Sequence, residues 1–239
     1  MKPILIIKTG STLKSVPSER GDFEHWIIEA MRLPETQFVV CNVMAGELLP
    51  PPEQISAIVI TGSGAMVTDR LAWSEYTGSY LRDVAHSTLP VLGICYGHQL
   101  IAHALGGVVD YHPKGREIGT TEVRLTPAVA TDALFADLPD VFFANASHRQ
   151  TVTRLPATAE VLAANDFEPH HAVRFGKTMW GVQFHPEFAS DIILLYLAER
   201  ENVLLDEGLN VTELRATVTR TPVAESLLRR FAQLAIQSP

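Results

Sequence analysis

Residues 90–107 read PVLGICYGHQLIAHALGG, and this run sets the architecture expected of the chain. The apolar residues Pro90–Ile94 predict a buried strand, and Gln99–Leu105 predict a helix that the following glycine pair ends. Between them, residues 93–97 place Cys95 with a glycine two positions away on each side. This pattern is typical of a sharp turn from strand to helix, because larger neighbours would clash there.

The alternation of strand and helix extends toward the amino terminus. Short apolar runs predict strands at Ile4–Ile7, Phe38–Val43 and Ile58–Ile60, with helices at Phe23–Met31 and Tyr76–Ser87. Strands and helices in succession indicate a parallel sheet with helices on both faces. The expected fold class is therefore α/β with a mostly parallel central sheet.

The second half of the chain has shorter β-like runs separated by turn residues, which indicates an antiparallel or mixed extension of the same sheet. These runs are Thr121–Leu125, Val141–Ala144, Val161–Asn165, Ala172–Phe175 and Trp180–Phe184. After residue 187 the pattern becomes helical. Ser190 is predicted to cap a helix over Asp191–Glu201, and Thr221-Pro222 to start a last helix that ends at Ala235.

The composition excludes several classes of protein. The chain has 239 residues, 46% hydrophobic and 19% charged, which is the mixture of a globular protein that buries a core without disulfides. Its net charge of −8 disfavours nonspecific binding to nucleic acid or anionic membranes. No apolar run reaches the roughly 18 residues of a membrane-spanning helix, and the start lacks a signal-peptide pattern. We therefore expect a cytoplasmic protein that binds neither nucleic acid nor membrane.

Cys95 is the first candidate catalytic residue. At the start of a helix the macrodipole favours a thiolate, and the next backbone N–H points to where an oxyanion would form. The alternative is that Cys95 is a small buried core residue, as most lone cysteines are. Cys41 lies within a predicted strand, without such a turn, and is predicted to be core.

A cysteine nucleophile needs a base and a group that orients the base. His185 ends the predicted strand Trp180–Phe184, so we expect it at the same edge of the sheet as Cys95. Glu187 follows two residues later and is placed to accept a hydrogen bond from the imidazole. The other histidines show no ligand spacing, so neither a metal nor another cofactor is predicted.

Two motifs together resemble a known family. GICYGHQ at residues 93–99, followed by GVQFHPE at residues 181–187, is similar to the class I, triad-type glutamine amidotransferases. The closest likeness is to the glutaminase domain of GMP synthase and its stand-alone relatives. The resemblance implies a flavodoxin-like amidotransferase domain over residues 1–190. The helical pattern of residues 191–239 predicts an extension packed on the same domain, with a partner-docking surface as the alternative.

The resemblance also implies a role for each motif residue. Cys95 would attack the side-chain amide carbon of glutamine, His185 would transfer protons, and Glu187 would orient His185. Two backbone N–H groups would form the oxyanion hole, that of Tyr96 and one from the turn at Gly62-Ser63, assigned to Ser63. The residues that would hold the glutamine substrate are Gly62, Gln99, Ser147 and His148.

The chain departs from the family pattern in the first loop and near the substrate. Ser63 stands where a second glycine is usual, and serine reaches fewer backbone angles than glycine. Arg149 stands where a glycine usually follows Ser147-His148, which changes one wall of the substrate pocket. Arg149 and Arg174 would suit an additional substrate carboxylate.

Three functions stay open at this point. The first is hydrolysis of glutamine to glutamate and ammonia through a γ-glutamyl thioester on Cys95. The second is a γ-glutamyl peptidase or hydrolase that uses the same residues on another small molecule, and the third is a non-catalytic regulatory or binding module. The chain has no P-loop or pyrophosphatase motif, so synthesis from the ammonia would need a separate synthetase subunit.

Overall fold

The computed structural model describes residues 2–237 and contains a nine-stranded sheet and a separate two-stranded sheet. The strands are β1 Ile4–Lys8, β2 Phe38–Asn42, β3 Ala57–Ile60, β4 Val91–Ile94, β5 Val108–Tyr111, β6 Glu117–Leu125, β7 Val141–His148, β8 Gln150–Arg154, β9 Glu160–Ala164, β10 Ala172–Arg174 and β11 Met179–Val182. The helices are α1 Phe23–Met31, α2 Ala72–Val84, α3 Tyr96–Ala104, α4 Ser190–Glu199, α5 Glu201–Asp206, α6 Val211–Ala216 and α7 Pro222–Gln237.

The large sheet is parallel in one half and antiparallel in the other. Its strand order is β2-β1-β3-β4-β11-β10-β9-β6-β7. The first five strands of this order run parallel to one another, whereas the pairs β11-β10, β10-β9, β9-β6 and β6-β7 are antiparallel. The predicted mostly parallel sheet with an antiparallel extension is therefore confirmed.

Alternating side chains divide the core into two layers. On β1, Ile4 and Ile6 pack in the layer that contains α1 and α7, whereas Leu5 and Ile7 pack in the layer that contains α2 and α3. All four side chains are at most 2% exposed. This strand is thus buried on both faces, as strands of parallel sheets are, and helices cover both faces of the sheet.

The C-terminal helices pack on the same sheet. α7 is amphipathic and buries Leu227, Leu228 and Phe231 in the layer that contains α1. α4 and α6 contribute to a third apolar cluster around Phe188. This packing places Arg200, between α4 and α5, beside the cleft at the carboxyl ends of the parallel strands. Within residues 2–237, no helix combines the length and apolarity needed to cross a membrane.

Some local predictions differ from the structure. α2 begins at Ala72 rather than Tyr76 and ends at Val84, so the predicted helix was shifted along the chain. β5 and β8 have no counterpart among the predicted strands. β5 reads VVDY, and three of its four residues are exposed. This stretch therefore lacks the alternation of apolar and polar residues that identifies a half-buried strand.

The predicted helix boundaries after residue 189 also differ from those in the structure. The prediction of Ser190 as a helix cap is wrong, because Ala189 is the N-cap residue and Ser190 is the first helical residue. The helix predicted over Asp191–Glu201 ends at Glu199. Arg200, with φ −95° and ψ 6°, separates α4 from α5 and so changes the direction of the chain.

Gly97 provides a test of the close packing between α3 and β3. A Cβ atom at this position would lie 2.6 Å from the carbonyl oxygen of Ile60. Gly97→Ala is therefore expected to lower the free energy of unfolding by about 2 kcal/mol or more, because backbone must move. Gly176→Ala is the matched control, since its Cβ would meet nothing within 4 Å. Equal denaturant midpoints for the two variants would contradict this packing.

Candidate active site

Cys95 lies on the turn between β4 and α3 in a conformation that is rare for a residue with a side chain. Its φ is 49° and its ψ is −97°, and it is the N-cap residue of α3. A Cβ at Gly93 would lie 2.5 Å from the carbonyl carbon of Gly97, so the strand can approach the helix this closely only with glycine there. The sharp turn predicted from the spacing of these residues is therefore present.

His185 lies at the same sheet edge because β11 pairs in parallel with β4. Its Nδ1 is 2.7 Å from Oε1 of Glu187, and the imidazole lies with Cys95 beside Gly62, where an added Cβ would be 2.9 Å from Cε1 of His185 and 3.9 Å from Cβ of Cys95. The ring of Phe188 stacks on the imidazole with centroids 4.0 Å apart. Because Nδ1 is engaged by Glu187, Nε2 is the nitrogen left for Cys95.

The thiol and the imidazole shift each other's pKa. Burial alone would raise the pKa of the Cys95 thiol, but the charge and hydrogen bond of His185, with a smaller effect of His148, bring this pKa below its ordinary value. Burial would lower the pKa of His185, yet Glu187 and Cys95 raise it to about 10. Each shift therefore favours the pair of Cys95 thiolate and His185 imidazolium over the neutral pair.

A second charged imidazole lies near Cys95. His148 is buried, with Nε2 2.9 Å from Oε2 of Glu117 and Nδ1 3.0 Å from the carbonyl oxygen of Gln150. Both partners only accept hydrogen bonds, so the doubly protonated ring satisfies both. Burial opposes the charge, but Glu117 outweighs burial and raises the pKa of His148. His148 thus adds a second positive charge that lowers the pKa of Cys95.

Glu117→Gln tests this contribution of His148. Glutamine keeps a hydrogen-bond acceptor but removes the negative charge, so the pKa of His148 should fall and the pKa of Cys95 should rise. We expect the pH profile of Cys95 alkylation by iodoacetamide to move to higher pH. Glu122→Gln, on the exposed part of the same strand, is the control. An unchanged profile in the Glu117 variant would contradict the role of His148.

The residues predicted to form the oxyanion hole border the same cleft. Tyr96 is the first residue of α3, so its N–H has no intrahelical acceptor, while its side-chain hydroxyl bonds Ser74 at 2.6 Å. The expected backbone difficulty at Ser63 is not found, because Ser63 is absent from the positive-φ residues of the described chain. Gly62 is the residue of this turn that has no space for a side chain, because an added Cβ would lie 2.9 Å from Cε1 of His185.

Of the residues predicted to hold glutamine, Gln99, Ser147 and His148 line the cleft, whereas Gly62 lies beside His185. Some of their polar atoms already have partners. Nε2 of Gln99 donates to the carbonyl oxygen of Gln150 at 2.8 Å and to Oε1 of Gln183 at 2.9 Å. The carbonyl oxygen of Ser147 lies 4.0 Å from the Cys95 sulfur. Both ring nitrogens of His148 are engaged as described above. Their contact with substrate stays a prediction.

Three arginines line the cleft beside Cys95, namely Arg116, Arg149 and Arg200. The sequence placed Arg149 near the substrate, but Arg116 and Arg200 were not predicted. Arg116 directly precedes Glu117, the first residue of β6, and no local pattern marks it as a cleft residue. Arg200 has no local signal, because its position depends on how the C-terminal helices fold back.

Arg174 does not belong to this cleft. Its guanidinium pairs with Glu160 and lies 3.5 Å from Oδ2 of Asp132, on the antiparallel part of the sheet. The interpretation of Arg174 as a binding group for a substrate carboxylate is therefore wrong. Its neighbouring carboxylates satisfy its charge locally.

Residues 20–192 match the family model described as glutamine amidotransferase class-I. GMP synthase (glutamine-hydrolyzing) of Porphyromonas gingivalis is 33% identical over 190 residues, covering 76% of this chain and 34% of that protein. One subunit of the GMP synthase (glutamine-hydrolyzing) of Methanopyrus kandleri is 36% identical over 139 residues, covering 56% of this chain and 68% of that one. The chain thus spans about a third of the length of the Porphyromonas relative.

Solved structures share the fold over the whole chain. A glutamine amidotransferase from Thermotoga maritima superposes with a TM-score of 0.78 at 21% identity, covering 100% of both chains. A glutamine amidotransferase from Methylobacillus flagellatus gives 0.75 at 21% identity, covering 100% of this chain and 95% of that one. Since the family model matches well over half of its residues, the chain belongs to the class I glutamine amidotransferase family.

Proposed function

We propose that the chain hydrolyses the side-chain amide of glutamine to glutamate and ammonia through a γ-glutamyl thioester on Cys95. The observation that carries the proposal is that Cys95 and His185 follow two neighbouring parallel strands and meet beside Gly62, with the His185 imidazole bonded to Glu187. Family membership supports this class of chemistry.

In the first half of the reaction, the Cys95 thiolate would attack the amide carbon of glutamine. The N–H groups of Tyr96 and Ser63 would stabilise the negative charge that develops on the amide oxygen. The His185 imidazolium would then donate its Nε2 proton to the amide nitrogen as the C–N bond breaks, and ammonia would leave. The raised pKa of His185 supports this order, because the proton is already on the imidazole.

In the second half, neutral His185 would take a proton from a water molecule. The resulting hydroxide would attack the thioester carbonyl, the C–S bond would break, and the thiolate would return as glutamate leaves. Glu187 would hold Nδ1 throughout, so that Nε2 keeps facing the sulfur. Glu187 is therefore proposed as a positioning residue rather than a proton donor.

Incubation of the purified chain with L-glutamine tests the proposal. Glutamate and ammonia are expected in equal amounts, with asparagine, which is one methylene shorter, as the control substrate. Product measurement by separation and mass detection needs no coupling enzyme. Absence of both glutamate and ammonia would overturn the proposal.

A γ-glutamyl peptidase or hydrolase is the second candidate function. The observation that favours it is the positive charge beside Cys95, where Arg116, Arg149 and Arg200 line the cleft. A leaving group that carries a carboxylate would benefit from such charge, whereas ammonia would not. This function predicts faster cleavage of γ-glutamylglycine than of glutamine.

We further propose the division of the chain into an amidotransferase unit, residues 1–190, and a helical extension, residues 191–239. Packing of α7 in the same core layer as α1 supports one domain.

We also propose that the ammonia passes to a separate synthetase subunit, which is supported by the likeness to a relative whose name makes it one subunit of GMP synthase. Co-purification with an ATP-using synthetase chain is the expected result, and recovery of the chain from its native cells without any such partner would contradict it.

A further inference from the structure

An arginine wall, formed by Arg116, Arg149 and Arg200, borders the Cys95 cleft although the chain carries a net charge of −8. Within residues 2–237, one carboxylate forms ion pairs with this wall, that of Glu207. It accepts hydrogen bonds from Nε and Nη2 of Arg116 at 2.7 and 3.0 Å, and lies 4.0 Å from Nε of Arg149. Because Glu207 pairs mainly with Arg116, it does not neutralise most of the positive charge of Arg149 and Arg200.

Arg200 is the least satisfied member of the arginine wall. Its Nε is buried, and no hydrogen-bond acceptor reaches this atom from any part of residues 2–237. Burial and the charge of Arg116 lower the pKa of Arg200, with partial compensation by Tyr196, Glu199 and Cys95. The Glu199 carboxylate itself accepts hydrogen bonds from Ser15. A buried guanidinium N–H without an acceptor costs free energy, so the charged side chain of Arg200 is only partly stabilised by residues 2–237.

Tyrosine rings hold Arg149 and Arg200 in place. Cζ of Arg149 lies 5.2 Å from the centre of the Tyr111 ring, and Cζ of Arg200 lies 5.3 Å from the centre of the Tyr196 ring. Contact with a ring engages the face of the planar guanidinium and leaves its N–H edges available. Two N–H groups on one edge match the two oxygens of a carboxylate.

From this arrangement we propose that Arg200, assisted by Arg149, forms a carboxylate-binding subsite of the catalytic cleft. The proposal rests on the proposed function for its substrate class, which is γ-glutamyl compounds with a carboxylate away from the scissile bond. A γ-glutamyl compound offers two such groups, the α-carboxylate of its glutamyl part and a carboxylate on an amino-acid leaving group. Arg200 follows α4, so the C-terminal helices supply this part of substrate selection.

The test uses a chloroketone analogue of glutamine, in which CH2Cl replaces the amide nitrogen, and its α-carboxamide. The Cys95 sulfur displaces chloride and forms a stable thioether, so labelling requires no turnover. The wild type is expected to react about tenfold faster with the acid, measured as kinact/KI by intact mass, since a charged hydrogen bond is lost with the amide. Arg200→Gln should reduce this preference to about twofold or less.

Two further variants separate binding from folding effects. Arg215→Gln removes a partly exposed arginine that pairs with Glu201 in the same helical region, and it should keep the wild-type preference. Arg200→Lys keeps the charge without the planar fork and should keep part of the preference. Thermal unfolding of each variant shows whether the fold is retained.

Hydrolysis of γ-glutamylglycine and of γ-glutamylmethylamide identifies the source of the carboxylate. If Arg200→Gln lowers kcat/KM about tenfold for γ-glutamylglycine but not for γ-glutamylmethylamide, the subsite binds the carboxylate of the leaving group. If Arg200→Gln instead removes the preference for the acid form of the chloroketone, the subsite binds the α-carboxylate. Either result supports the subsite. Variant preferences equal to those of the wild type in both assays, or a wild type without either preference, would overturn it. Chloroketone discrimination without any hydrolysis would instead overturn the proposed function and leave the subsite standing.

Discussion

Replacing Cys95 with serine is expected to lower the rate of glutamate release from glutamine at least about 10⁴-fold. Serine is nearly the same size and can occupy the same turn between β4 and α3, so the fold should persist. Its hydroxyl does not ionise at neutral pH. Glu187 still raises the pKa of His185 in this variant, so the imidazole keeps a preference for its protonated form and is a poor base for a hydroxyl.

Cys41→Ser is the matched control for this substitution. The Cys41 thiol donates to the carbonyl oxygen of Leu48 at 3.4 Å, and burial followed by the charge of Glu47 raises its pKa. It is therefore a poor nucleophile, and the control should release glutamate at a rate close to that of the wild type. Glutamate release by the Cys95 variant at a comparable rate would show that another residue attacks the substrate.

The second large effect is expected for His185→Gln, which should lower kcat about 10³-fold. Glutamine can still accept a hydrogen bond near Cys95, but it supplies neither a positive charge nor a proton. The pKa of Cys95 should therefore rise, because burial then acts without its main opposing charge. Both changes are measurable, the first from initial rates and the second from the pH dependence of alkylation. His86→Gln, at an exposed position, should change neither quantity.

The same ion pair predicts the pH dependence of the wild type. Activity should rise as the pH increases through the lowered pKa of Cys95, since the thiolate forms there. It should fall again as His185 loses its proton, near a pH of about 10. The two limits belong to the coupled pair rather than to either residue alone. An activity that falls between pH 7 and 8 would contradict the raised pKa of His185.

The parallel half of the sheet and the turn at Cys95 could be predicted from sequence because both have strong local patterns. Ile4–Ile7, Ile58–Ile60 and Pro90–Ile94 are short apolar runs between turn signals, and all three overlap parallel strands of the structure. An added Cβ atom at Gly93 or Gly97 would lie 2.5 or 2.6 Å from neighbouring backbone atoms, so no side chain fits at either position. Local sterics are therefore readable from a single sequence.

The features that the sequence analysis missed depend on contacts distant in the chain. Arg200 reaches the cleft only because α4 packs on Phe188 and the chain turns before α5. The charge of His148 depends on Glu117, which the pairing of β6 with β7 places opposite it. Neither arrangement has a local periodicity, so tertiary packing alone determines both.

The most direct test of the proposed chemistry is mass measurement of the chain after rapid acid quenching during turnover of L-glutamine. We expect a γ-glutamyl adduct that maps to the peptide containing Cys95 and that is absent from Cys95→Ala. Steady release of glutamate with no adduct on Cys95 at any quench time, or with the adduct on another residue, would contradict attack by this cysteine.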